Sequence, residues 1–239
     1  KNLKNASIKD RGKDESIGIE TLTLSNGIKV IIKPTDFKND EILFSAYGPG
    51  GSSLVDDDKV YAANNATRLV TKSGLGAFSS TELEKKLTGI NVRVLPYIDE
   101  LRQGLQGNAS PKDFETLLQL IYLHFEPARR DQQAFEAFKS QLENQFKFMR
   151  SNPQALFSDT LFKVMTSGSP RTIILPTEAH FAQLQPDVMY DIYDRLFADA
   201  SNFTFVFVGN IDALKHEELI VKYLGNLPKA KPINWIDRN

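Results

Sequence analysis

The chain has 239 residues, 41% of them hydrophobic and 25% charged, an ordinary composition for a chain long enough to bury a core without staples. A formal net charge of −1 lacks the basic excess of a nucleic-acid binder, and the absence of cysteine excludes disulfides, thiol catalysis and cysteine-held metal. No apolar run reaches the roughly 18 residues of a membrane span.

Residues 1–17 are polar and charged, have no signal-peptide core, and read as a linker; the absence of an initiator Met suggests a cut in a longer chain. Residues 22–24 and 28–32 are apolar runs flanking Ser25-Asn26-Gly27, which predicts a β-hairpin closed by a tight primed turn at Asn-Gly. A third strand is expected over 41–47, ended by Gly48-Pro49-Gly50-Gly51. Asp56-Asp57-Asp58 favours a helix start, because carboxylates complement the positive end of the helix dipole; that helix runs to about Lys72, with Gly74 and Gly76 beyond it. Ser79 with Glu82, and Thr81 with Glu84, are two capping-box patterns opening a short helix to about Leu87.

Two further strands are expected over 92–97 and 101–107. Ser110-Pro111 opens an apolar helix to about Phe125, residues 131–149 form a long amphipathic helix, and Pro153 opens another to about Met165. Val188, Met189, Ile192 and Leu196 keep helical spacing over 186–197. Phe203, Phe205 and Phe207 alternate with Thr204, Val206 and Val208, so both faces are apolar and the strand is buried. An amphipathic helix over 214–224 follows, and 229–239 reads as a second linker. This order predicts an α+β fold with one mostly antiparallel sheet backed by helices on one face, a single domain over 18–228.

Several segments together resemble the pitrilysin/insulinase family of zinc metallopeptidases. They are Leu24-Ser-Asn-Gly-Ile-Lys-Val30, Gly50-Gly-Ser-Ser53 followed by Asp56 to Asp58, Ser110-Pro-Lys-Asp-Phe114, Phe205-Val-Phe-Val-Gly-Asn-Ile-Asp212, and Tyr223-Leu-Gly-Asn-Leu-Pro228. Their order and spacing over residues 18–230, rather than any one piece, carry the resemblance. Active members carry His-x-x-Glu-His on the first long helix, two histidines for zinc and a glutamate as base on the metal-bound water. Here that stretch is Tyr61-Ala-Ala-Asn-Asn-Ala-Thr-Arg-Leu-Val70, and the motif positions fall on Asn65, Arg68 and Leu69. The helix has no histidine and no glutamate in any register. Asparagine is a poor zinc ligand, leucine is none, and Arg68 sets a fixed positive charge where a dication belongs. The family's downstream glutamate ligand corresponds to the region of Glu143, which alone cannot complete a site.

The resemblance therefore implies no metal in this chain, with zinc in the catalytic half of a longer bacterial-type parent. This chain would be a non-catalytic domain that helps close a chamber around a peptide. Its partners would be the N-terminal catalytic half and a following αβ domain; no nucleic acid or membrane span is implied, and the cell envelope or periplasm is the place expected. No Arg here has a Tyr seven residues later, the pair that contacts substrate in the family's last domain, so the resemblance implies the first domain of the non-catalytic C-terminal half. Two other readings stay open: a purely structural or regulatory paralogue, and an independent peptide-binding module that adds a strand to a sheet edge.

Other candidates read as structure. His124, His180 and His216 are widely separated and make no ligand set; His124 lies on an apolar helix and reads as partly buried packing. Asp56 to Asp58 lacks the ligand spacing of a calcium loop, Gly48-x-Gly-Gly lacks the Lys-Ser/Thr of a phosphate loop, and no serine has a catalytic neighbour. Arg129-Arg130 and Arg171 are the cations of interest. Arg171, in Ser169-Pro-Arg-Thr-Ile173, is the candidate for meeting a peptide carbonyl or carboxylate, against the alternative of a solvated arginine or a salt bridge at a domain contact.

Overall fold

The computed structural model describes residues 6–238. Its strands are β1 (Ile8–Asp14), β2 (Ile19–Leu24), β3 (Lys29–Pro34), β4 (Ile42–Pro49), β5 (Val92–Ile98), β6 (Arg102–Ala109) and β7 (Thr204–Gly209). They form one sheet in the order β1-β2-β3-β7-β4-β6-β5. The helices are α1 (Val60–Ser73), α2 (Ser80–Lys86), α3 (Phe114–His124), α4 (Gln132–Arg150), α5 (Pro153–Met165), α6 (Glu178–Ala182), α7 (Pro186–Leu196) and α8 (Ala213–Leu224). The expected α+β architecture is what the chain adopts. The sheet is antiparallel except where β7 enters its centre parallel to β3 and antiparallel to β4.

Alternation along β4 explains why the helices take one face. Ile42, Phe44 and Ala46 are buried, whereas Leu43 and Tyr47 on the other face are exposed. Phe205 and Phe207 join the buried side, and Phe44 stacks on Phe207 with ring centroids 5.3 Å apart. Phe114 of α3 meets Phe207 edge-on at 5.4 Å, joining helix layer to sheet. The other face of β7 is half-buried, so this strand is covered less evenly than its apolar sequence predicts.

The hairpin of β2 and β3 forms as expected, but its turn is not primed. Such a turn needs positive φ at two central residues. Only Gly27 has it, at 100°, and the Gly27 amide donates to Leu24 O at 2.9 Å. This is the longer hairpin loop, in which glycine takes the left-handed position after an ordinary turn. Asp57–Lys59 forms a 3-10 turn before α1, and Gly74, with φ 92°, ends that helix. Ser79 and Glu82 make the expected reciprocal capping box of α2; the pattern at Thr81 and Glu84 falls inside that helix and is not its cap.

The stretch read as an N-terminal linker contains β1, an edge strand; its first residues, 1–5, lie outside the described residues. Lys-Asp-Arg-Gly-Lys-Asp has no apolar alternation because an edge strand has little to bury, and charge there discourages further pairing. Arg11 ties β1 to α8 through a two-pronged bond to Glu217, at 2.5 and 2.7 Å. The C-terminal stretch has no regular structure over its described part but is strapped down: Ile236 N donates to Ser53 Oγ at 3.0 Å, and Arg238 Nε to Ser53 O at 2.6 Å. Asn239 lies outside the described residues.

Candidate functional site

Helix α1 carries the positions where the resemblance expects metal ligands. Its buried stripe includes Tyr61, Ala62, Asn65, Ala66, Leu69 and Val70, while Asn64, Arg68, Thr71 and Lys72 face out. Offsets of three and four residues share a helix side. Asn65 and Arg68 touch, the guanidinium donating to Asn65 Oδ1 at 3.2 Å. The Asn65 amide also donates to Tyr61 O at 2.9 Å, so both ends of the side chain are engaged within the helix. Leu69 is 0% exposed in the core, and Arg68 leans over the Phe138 ring of α4 with 5.6 Å to its centroid.

This donor set does not fit zinc. A zinc site takes nitrogen, thiolate or carboxylate ligands, and a catalytic one keeps a position open to water. One motif position offers only hydrocarbon sealed from solvent, another an amide already bonded, and the third a permanent cation that repels a dication. Glu143 is half-buried on α4, next to the buried Leu142. Among the described residues, no group of three or more His, Cys, Asp or Glu side chains is placed to hold a metal ion.

The three histidines hold structural posts instead. His124 is fully buried rather than partly, its Nδ1 lying 3.0 Å from the Tyr193 hydroxyl, which donates to His124 O at 2.9 Å. Burial depresses its pKa to about 4. His180 caps α6, its Nδ1 accepting from Thr177 N at 2.9 Å. His216 packs edge-on against Phe114 at 4.8 Å between ring centres. Tyr61 lies near the rings of His180 and Phe181, and burial pushes its hydroxyl up to about 12. That hydroxyl is buried without a hydrogen-bond partner.

The arginines are largely committed to the fold. Arg129 donates to Ser73 O at 2.8 Å and pairs with Asp131, the residue that caps α4. Arg130 spans Asp187, Asp191 and Asp194 on α7. Arg171 bonds Ser52 O at 2.5 Å, Val55 O at 3.2 Å and Asp57 Oδ1 at 2.6 Å, and its side chain is 12% exposed. It therefore clamps the turn before α1. It also lines one wall of a cleft of about 470 Å³, with Ser52, Asn64, Asp99 and Glu100 among the other walls. A second cleft, of about 490 Å³, runs between Arg68 and Lys72 of α1 and Leu95 and Pro96 of the edge strand β5.

Sequence reasoning missed α6 and the clamp made by Arg171. The signal for α6 was Thr177 three residues before His180, a cap that uses an imidazole where glutamate is usual. The signal for the clamp was only the pair of Arg171 and the Asp56–Asp58 run, far apart in sequence. No helix among the described residues is long and apolar enough to cross a membrane.

No family model matches the chain. It is similar to a PQQL-like zinc protease of Arabidopsis thaliana, with 25% identity over 214 residues, covering 89% of this chain and 20% of that protein. The crystal structure of the periplasmic protease PqqL from Escherichia coli superposes with a TM-score of 0.79 at 22% identity, over 98% of this chain and 26% of that one. A peptidase M16 inactive domain from Pseudomonas fluorescens shares the fold with a TM-score of 0.69 at 16% identity, over 92% of this chain and 53% of that one. The resemblance to zinc peptidases thus extends over nearly the whole chain. The chain spans about a fifth of the length of the curated relatives it matches. It corresponds to one domain-sized portion of those longer proteins.

Proposed function

We propose that this chain is a non-catalytic domain of a longer zinc-dependent peptidase, and that it helps enclose the peptide while zinc sits in another part of the parent. The observation that carries this reading is the state of the motif helix. On the register read from the sequence, the three positions of α1 that would match the zinc motif carry a bonded amide, a cation and a core leucine. A helix retained without its ligands serves as architecture. The cleft walled by Arg171 is the surface we assign to the enclosed peptide. Arg171 reaches a peptide carboxylate there by exchanging its half-exposed partner Asp57, while its bonds to Ser52 O and Val55 O hold the guanidinium in place.

Excising this domain from the full-length parent tests the reading. Zinc content per parent molecule stays unchanged, whereas peptide cleavage falls by about a hundredfold, the scale expected when an enclosing and positioning element is lost. Adding the separate domain back restores part of the activity. Unchanged cleavage would remove the enclosing role, and loss of zinc along with the domain would place this domain in the metal site. A full-length parent that holds no zinc at all would turn the reading to the purely structural paralogue.

A further inference from the structure

Helix α5 is turned the wrong way round for a surface helix. None of its residues is buried. Phe157, Leu161, Val164 and Met165 follow the i, i+4, i+7, i+8 spacing of an apolar stripe, yet they are 61, 42, 74 and 68% exposed. Phe148, in the last turn of α4 just before, is 86% exposed. The polar side is the one tied to the rest of the fold: Asp159 accepts from Leu175 N at 3.1 Å, and within the helix it pairs with Lys163 Nζ at 2.6 Å. An isolated helix of this length is marginal in water and gains its stability by packing its apolar face. Contiguous apolar patches of this kind mark interaction sites on folded proteins.

Resting on the function proposed above, we infer that the α5 stripe is the docking face for a neighbouring domain of the same longer polypeptide, which presents an apolar, uncharged surface to it. Two observations select this occupant. The stripe contains no charged residue, which suits a permanent apolar contact better than a transient charged partner. The relatives are about five times longer than this chain, so most of such a polypeptide is tethered nearby. A tethered domain meets the stripe at an effective concentration of roughly millimolar, far above that of a free second copy.

The chain has no cysteine, so Phe157→Cys and Val164→Cys each introduce a single thiol into it. Each variant is made in this chain and in the full-length parent, and alkylation at that site is followed by peptide mass spectrometry. The thiols react at the rate of an exposed side chain in the separate domain and about tenfold or more slower in the parent. Equal rates would overturn the inference. Sedimentation of the separate domain adds a second arm: it remains a monomer at micromolar concentration, and a dimer dispersed by Val164→Glu would assign the stripe to a second copy instead. Zinc analysis of the same parent keeps the two ideas apart, since a zinc-free parent would sink the peptidase reading and leave the labelling result standing.

Discussion

Replacing Phe207 with alanine is expected to destabilise the domain by about 3–5 kcal/mol. Phe207 is 0% exposed in the strand that enters the middle of the sheet, stacked on Phe44 and met edge-on by Phe114. Truncation removes the ring's transfer free energy and leaves a cavity that three elements at once cannot collapse to fill. Domains of this kind are stable by only about 5–15 kcal/mol, so the variant loses a large share of the total. Urea unfolding of the two proteins measures the difference. Phe37→Ala serves as the control, because Phe37 is exposed and its loss should stay within about 0.5 kcal/mol. A loss below about 1 kcal/mol at Phe207 would mean that β7 is not packed where it is described.

Acidification is the second large lever, through His124. Its folded pKa is about 4, held down by burial, against an unfolded value near 6.5. The unfolded chain therefore binds a proton on this side chain before the folded one does, and stability falls as pH falls. The effect begins near pH 6.5 and saturates near pH 4, with a total of roughly 3 kcal/mol from this group. Stability curves at several pH values on the parent sequence and on His124→Gln separate this contribution from that of the carboxylates. The variant should be flatter between pH 6.5 and 4; identical slopes would show that His124 is not the titrating group. Several carboxylates with lowered pKa, among them Asp131 and Glu217, lose stability at lower pH, below their unfolded values.

Local chemistry explains which parts of this molecule were legible in its sequence. The Ser25-Asn26-Gly27 hairpin, the Ser79–Glu82 cap and the proline-led helices α5 and α7 follow from neighbours in the chain, and they form within a residue or two of expectation. The helix carrying Asn65, Arg68 and Leu69 was legible for the same reason, since its start and its stop at Gly74 are set by neighbours in the chain. Long-range pairing was not. Ile8–Asp14 has no periodic pattern, because its role as an edge strand is set by β2 and by Glu217. The parallel step of β7 beside β3 depends on where a distant segment returns to the sheet. Pro153 marked the start of α5 correctly, but nothing local says that its apolar stripe faces away from this core. Periodicity reports that a face is apolar, without saying what covers it.

On the proposed function, α1 is architecture and holds no metal. Elemental analysis of the purified 239-residue chain after incubation with zinc, paired with a fluorogenic peptide digest, tests it most directly. The expected result is far less than one zinc per chain after gel filtration and no peptide cleavage above buffer, because Leu69 is sealed in the core and Arg68 opposes a dication. The same holds in the presence of excess zinc. One tightly held zinc per chain, with cleavage that a chelator stops and added zinc restores, would contradict it.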